Sequence, residues 1–113
     1  MKKIYRLKKN WEFNEILNSK KQLLNRFVII YYKESNNFKI GITVPKKFAN
    51  SVGRNLYKRQ LRAIIHDLNI YDYKYEFVII ARKDFVEEDF ATKQKEINKL
   101  FEKFRKHANI SKF

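Results

Sequence analysis

Residues 38–62 read Phe38-Lys39-Ile40-Gly41-Ile42-Thr43-Val44-Pro45-Lys46-Lys47-Phe48-Ala49-Asn50-Ser51-Val52-Gly53-Arg54-Asn55-Leu56-Tyr57-Lys58-Arg59-Gln60-Leu61-Arg62. The hydrophobic period changes inside this stretch. Phe38, Ile40, Ile42 and Val44 alternate with Lys39, Gly41 and Thr43, the period of a half-buried strand. Pro45 stops the ladder because it has no N–H to donate. Asn50-Ser51 offers an N-cap, and Tyr57, Leu61, Ile64, Ile65 and Leu68 then recur at helical spacing, so a helix is predicted to about Asn69. A strand that feeds a helix through a basic loop points to a mixed fold with helices packed on a sheet.

Working outward, Asn10 can cap a short helix with Phe13, Ile16 and Leu17 on one stripe. The run from Phe27 to Tyr32 is β-branched and aromatic and reads as a strand. Ser35-Asn36-Asn37 is a turn, so this strand and the one beginning at Phe38 are expected to form a hairpin. Residues 21–24 are read as a short additional strand. Phe77 to Ala81 is another strand, and a last helix is predicted to start near Glu88 to Thr92, with Ile97, Leu100, Phe101 and Phe104 on its apolar side. The order is α-β-β-α-β-α with the early strand added, an α+β sandwich. With two Gly, one Pro and no linker in 113 residues, one domain over 1–113 is expected.

The chain carries 26 Lys+Arg against 12 Asp+Glu, a formal net charge of +14. Hydrophobic residues make up 44%, enough for a modest core, so a disordered basic tail is excluded. Charge of one sign at this density repels itself unless a polyanion compensates it. There is no Cys, which removes disulfides and Cys-ligated zinc, and His66 and His107 are the only imidazoles. The basic start is followed by Asn10, Glu12, Asn14 and Glu15 rather than by the apolar core of a signal peptide. The longest apolar run, Phe27 to Tyr32, is far short of a membrane span, and a cytoplasmic protein without a membrane partner is expected.

The charge is unevenly placed. From Ser35 to Arg62 no acid occurs, and Lys39, Lys46, Lys47, Arg54, Lys58, Arg59 and Arg62 supply +7 of the +14. On the predicted helix Arg54, Asn55, Lys58, Arg59 and Arg62 share one broad face, with Lys46 and Lys47 in the loop before it. Free N–H groups at a helix start also favour anions. A solvated surface helix would mix signs and gain from opposite charges at i,i+4. Here Arg54 with Lys58, and Lys58 with Arg62, are like charges. Arg also stands at three positions in a chain where Lys dominates, and Arg suits bidentate phosphate contact. The pattern reads as a phosphate-binding ramp for nucleic acid.

The block from Lys46 to Arg62 resembles the signature of the bacterial ribonuclease P protein subunit, with its Lys-Lys pair, its Arg-Asn and its later Lys-Arg and Arg. Arg6-Leu7-Lys8-Lys9-Asn10 followed by Phe13 resembles the opening of that family, the two strands on either side of residues 35–37 its hairpin, and Val78 to Arg82 its last strand. Departures are Leu56 in place of the third member of an Arg-Asn-Arg run, Phe48-Ala49 for an aliphatic residue and Gly, Pro45 for a common Ser, and Leu17 for a second aromatic. The resemblance implies an α-β-β-β-α-β-α two-layer sandwich with a left-handed crossover from the third strand through the basic helix to the fourth, a hand rare for parallel strands. It implies that the protein binds the catalytic RNA of ribonuclease P and the 5′ leader of precursor tRNA, and assists removal of that leader.

The same resemblance places Phe13, Leu17 and Tyr31 in the leader-binding cleft. Aromatic faces beside basic groups are the usual site for single-stranded RNA. Read from the residues alone, Phe13 and Leu17 are better explained as sealing the first helix to the sheet. Of Tyr31 and Tyr32, one is expected to face outward.

Protein-borne chemistry is not expected. His66 and Asp67 are helical neighbours that do not face each other. Glu87-Glu88-Asp89 suits a helix N-terminus better than a cation site. No separated carboxylate set for two-metal hydrolysis, no Ser/His/Asp spacing and no Gly-rich phosphate loop is present. The chain is expected to hold no catalytic residue, metal or cofactor of its own, to take no small-molecule substrate, and to leave hydrolysis to Mg2+ on the RNA subunit. A ribosomal protein or RNA chaperone of similar fold, and a stand-alone nuclease, are the competing readings.

Overall fold

The structure, a computed structural model, describes residues 2–108. Residues 1 and 109–113 of the expected domain lie outside the described part. Three helices, α1 (Asn10–Asn18), α2 (Ser51–Leu68) and α3 (Phe90–His107), pack on one sheet of four strands. The strands are β1 (Gln22–Leu24), β2 (Val28–Glu34), β3 (Lys39–Thr43) and β4 (Tyr75–Ala81), in the spatial order β1-β2-β4-β3. The sequence order is the expected α-β-β-β-α-β-α.

The strand neighbours correct one expectation. β2 and β3 do not form a hairpin, because β4 lies between them, antiparallel to β2 and parallel to β3. The hairpin is β1–β2, closed by Asn25, whose side-chain oxygen accepts from the N–H groups of Phe27 and Val28 at 2.9 and 3.0 Å. The physical reason is burial on both faces. Phe77, Val78 and Ile79 are all buried, as a central strand requires, whereas Lys39, Ile42 and Thr43 of β3 stay partly exposed, as suits an edge. The short segment between β2 and β3 steps over β4, a distance of about two strand spacings, or ~10 Å. The parallel β3–β4 pair, connected through α2, is the crossover implied by the family resemblance.

The main core lies between one sheet face and α2 with α3. Val28, Ile30 and Tyr32 of β2 share it with Phe77, Ile79 and Ala81 of β4, and meet Leu61, Ile64, Ile65, Ile97, Phe101 and Phe104. The other face is covered in part by α1, where Ile16 packs with Leu7 and Val78. Tyr31 and Tyr32 therefore divide between faces, and neither points freely outward. Tyr32 sits 5.0 Å from the Phe104 ring, and Tyr31 joins the cluster under α1.

The helix ends follow local chemistry. Asn10 is the first residue of α1 rather than its cap. The Glu12 carboxylate reaches back instead and accepts from the N–H groups of Lys9 and Lys8 at 3.1 and 3.3 Å. Asn50 caps α2 by accepting from the Gly53 N–H at 2.9 Å, and Asn69 ends it in the left-handed region at φ 53°. Asp89 caps α3 through the Thr92 N–H at 2.8 Å.

Lys93 belongs to the core rather than to the diffuse surface charge. It is 1% exposed, its Nζ donates to Gln60 Oε1 at 2.7 Å and to the Phe85 carbonyl at 3.0 Å, and it lies 4.2 Å from the Phe85 ring centroid. Burial pushes this ammonium below its usual range, with Asp89 and Glu88 pulling the other way. Its bond to Gln60 ties α3 to α2.

Candidate nucleic-acid interface

The two flanks of α2 differ in chemistry. One faces α3, with Gln60 bonded to Lys93 and the Asp67 carboxylate accepting from Gln94 Nε2 at 3.0 Å. The other carries Arg54, Asn55, Lys58, Arg59 and Arg62, each next on its face by the helical repeat. Asn55 and Arg59 are exposed, while Arg54, Lys58 and Arg62 are half-buried. Lys46 and Lys47 are exposed in the turn between β3 and α2, with the Lys47 ammonium 5.2 Å from the Phe48 ring centroid. All seven sequence-predicted residues thus fall on the α2 flank or its entry turn.

None of the ion pairs among the described residues involves these cations; the pairs use Arg26, Lys33, Lys39, Lys99 and Arg105. The charge on this flank is not neutralised internally. The Arg54 Nε is enclosed and makes no hydrogen bond within the protein. Leu56, the departure from the Arg-Asn-Arg pattern, is exposed. It lies outside the row formed by Arg54, Lys58 and Arg62.

The second surface lies on the α1 side of the sheet. Phe13, Leu17 and Tyr31 are half-buried in one cluster with Ile16, Val78 and Ile80. The Phe13 ring sits directly over Gly41 of β3, where any Cβ would overlap it. This close approach is what position 41 requires of its residue. The structure therefore brings together the three residues assigned to the cleft, and gives each a packing role as well. Glu12 pairs with Lys39 at 3.6 Å and Glu15 with Lys33 at 3.6 Å, pinning α1 at one end of the sheet face.

Sequence reasoning missed how the two surfaces meet. Arg6 bridges to Ile40 on the outer edge of β3, and the Leu7 N–H donates to the Ile40 carbonyl at 3.0 Å. Arg6, Leu7, Phe13, Gly41 and Arg62 then line one small depression of about 100 Å³. Arg62 is the shared member, on the ramp and beside Phe13. Burial, and then the charge of Arg6, push its guanidinium below its usual value, though an arginine remains a cation at physiological pH. The available signal was Arg6 itself, a charged residue directly before the buried Leu7.

The acidic and imidazole candidates resolve into structure. Glu88 pairs with Arg26 at 3.7 Å and Asp89 caps α3. Thr92 bonding holds the Asp89 carboxyl below its usual value. His66 Nδ1 lies 2.8 Å from the Tyr71 hydroxyl and is not paired with Asp67. No helix among the described residues is long and apolar enough to cross a membrane.

A sequence profile described as Ribonuclease P matches residues 1–105. The chain belongs to the ribonuclease P protein family. It is 59% identical over 105 residues to the ribonuclease P protein component of Mycoplasmopsis synoviae, covering 93% of this chain and 94% of that one. It is 50% identical to the corresponding component of Mycoplasmopsis pulmonis, covering 93% and 96%. Among solved structures, the Staphylococcus aureus RNase P protein superposes with a TM-score of 0.80 at 27% identity, over 87% of this chain and 93% of that one. The RNase P protein from Thermotoga maritima gives 0.73 at 27% identity, over 84% and 94%. Family membership accounts for the fold, with its parallel β3–β4 pair, and for the block of residues 46–62.

Proposed function

We propose that this chain is the subunit that docks on the catalytic RNA of ribonuclease P through the α2 flank and its entry turn, and holds the 5′ leader of precursor tRNA against the α1 side of the sheet. Lys46, Lys47, Arg54, Lys58, Arg59 and Arg62 neutralise RNA phosphates, and Asn55 adds a hydrogen-bonding group among them. Phe13 and Tyr31 offer aromatic surface to unstacked leader bases, and Leu17 forms a third wall. Hydrolysis of the leader phosphodiester is carried by Mg2+ ions held by the RNA subunit. The protein lowers the electrostatic cost of bringing two polyanions together and positions the substrate. It works in the cytoplasm, where precursor tRNA is matured.

The observation that carries this reading is the acid-free α2 flank, whose cations make no ion pair among the described residues. A flank built for solubility would mix signs and gain from opposite-charge pairs one turn apart. The test combines purified protein, the catalytic RNA and precursor tRNA at low Mg2+. Leader removal should rise well above that of RNA alone, and protein alone should cleave nothing. Cleavage without an RNA subunit would identify a stand-alone nuclease. Selective binding to ribosomal RNA with no gain in leader removal would identify a ribosomal or chaperone role.

A further inference from the structure

Beyond Arg62, the outer face of α2 continues for one more turn to His66, and the chain there borders a hollow that none of the assignments above uses. Its lining residues are Lys2, Tyr5, His66 and Tyr71, and its volume is about 230 Å³. That is below the ~300–1,000 Å³ typical of pockets for drug-sized ligands, and suits a single flat ring system.

The hollow is built on a fixed aromatic pair. Tyr5 and Tyr71 stack with centroids 4.7 Å apart and planes at 25°. Buried Phe38 supports both from below, edge-on, at 5.7 Å from Tyr5 and 5.5 Å from Tyr71. A second hollow, of about 400 Å³, shares the same two rings and is bordered by Asn36, Asn37 and Lys74, with Asp72 among its walls. The pair therefore stands between two open spaces, whereas a purely internal contact would be enclosed. The first hollow is walled by one lysine, one imidazole and two phenol rings, with no acidic side chain. When the Tyr71 hydroxyl donates to His66 Nδ1, the imidazole proton sits on Nε2, which becomes a donor for an outside acceptor.

We infer that this hollow binds one unpaired RNA nucleotide, with the base against the Tyr5–Tyr71 pair and the phosphate on Lys2 and His66, as an extension of the α2 ramp. Base–aromatic stacking tolerates any base, because every base has a π face, so the site selects an unstacked nucleotide rather than a sequence. The ramp alone would bind a helical backbone equally well at many registers. A pocket for one extruded nucleotide at its end fixes the register. The inference rests on the proposed docking of α2 on RNA.

The test uses Lys2→Ala/His66→Ala, two exposed positions whose loss leaves the core intact. The probe is a 5′-phosphorylated single-stranded adenylate pentamer, followed by the aromatic side-chain NMR signals of the protein. Signals from Tyr5, Tyr71 and His66 should shift and saturate, and in the double variant the Tyr5 and Tyr71 shifts should need about threefold more probe or greater. With the full catalytic RNA, the same variant should reduce the slope of log affinity against log salt by about one unit. Silent Tyr5 and Tyr71 signals, or an unchanged affinity and slope in the variant, would overturn the inference. Arg59→Ala, measured alongside, separates the two failures. If it flattens the slope while the hollow stays silent, only the nucleotide pocket is lost. If neither variant alters the slope, the docking of α2 on RNA is lost as well.

Discussion

Arg59→Ala is the sharpest probe of the α2 flank, because Arg59 is exposed and outside the core. Lys46, Lys47, Arg54, Lys58, Arg59 and Arg62 give six cations. If each neutralises one phosphate, at about 0.7–0.9 unit per contact the slope of log affinity against log salt comes to roughly −4 to −5. Between about 50 and about 200 mM salt the intact protein should then lose on the order of 10³-fold in affinity for the catalytic RNA. Arg59→Ala should remove about one contact. Its slope should be shallower by ~0.7–0.9, and its salt-induced loss about threefold smaller. The assay is a filter-binding or fluorescence titration against the catalytic RNA across that salt range, with circular dichroism to verify folding. Lys103→Ala, an exposed cation on α3, is the control and should leave the slope unchanged. An Arg59 variant with the parental slope, or a Lys103 variant with the same loss, would refute a localised ramp and leave only diffuse attraction.

Other consequences follow from single contacts. Gly41→Ala places a Cβ where the Phe13 ring lies, so the ring must leave; stability should fall by ~1–3 kcal/mol in urea unfolding, and leader affinity should fall with it. Burial alone would raise the Glu12 carboxyl, but hydrogen bonds from the Lys9 and Lys8 N–H groups and the Lys39 ammonium outweigh it and hold the group below its usual value. A carboxyl depressed in the folded state contributes stability that is present above its unfolded pKa and is lost as pH falls through the folded one. Glu12→Gln should therefore be less stable at neutral pH and lose less stability on acidification, as followed by thermal melts from neutral pH downward. Asn50→Ala removes the α2 cap and should cost ~1 kcal/mol, measured by the same melts.

The fold was legible where one physical signal acted alone. Alternation in residues 38–44 and the 3.6-residue stripe from Tyr57 to Leu68 gave β3 and α2 nearly to the residue. Strand neighbours were not legible from the turn at residues 35–37, because a turn shows that the chain reverses and not what enters between its arms. The stronger clue was Phe77 to Ala81, too continuously apolar for an edge. Lys93 was hidden for a related reason. It stands four residues before Ile97 on the apolar stripe of α3, yet a lysine there is usually solvated, and only Gln60 and the Phe85 carbonyl make its burial tolerable. The basic residues of the α2 flank were legible because acids are missing from a long window. The depression shared by Arg6, Phe13, Gly41 and Arg62 was not, because it joins three distant segments.

The central claim is that two adjoining surfaces handle two RNAs, and the ratio of holoenzyme affinities for leader-bearing precursor and mature tRNA tests it most directly. This ratio should be well above one for the parent. Phe13→Ala, verified as folded, should bring it toward one while leaving assembly with the catalytic RNA near normal. Arg59→Ala should weaken assembly and, once saturated with RNA, keep the parental ratio. If Phe13→Ala weakens precursor and mature tRNA equally, or Arg59→Ala erases the ratio, the division between ramp and cleft is contradicted.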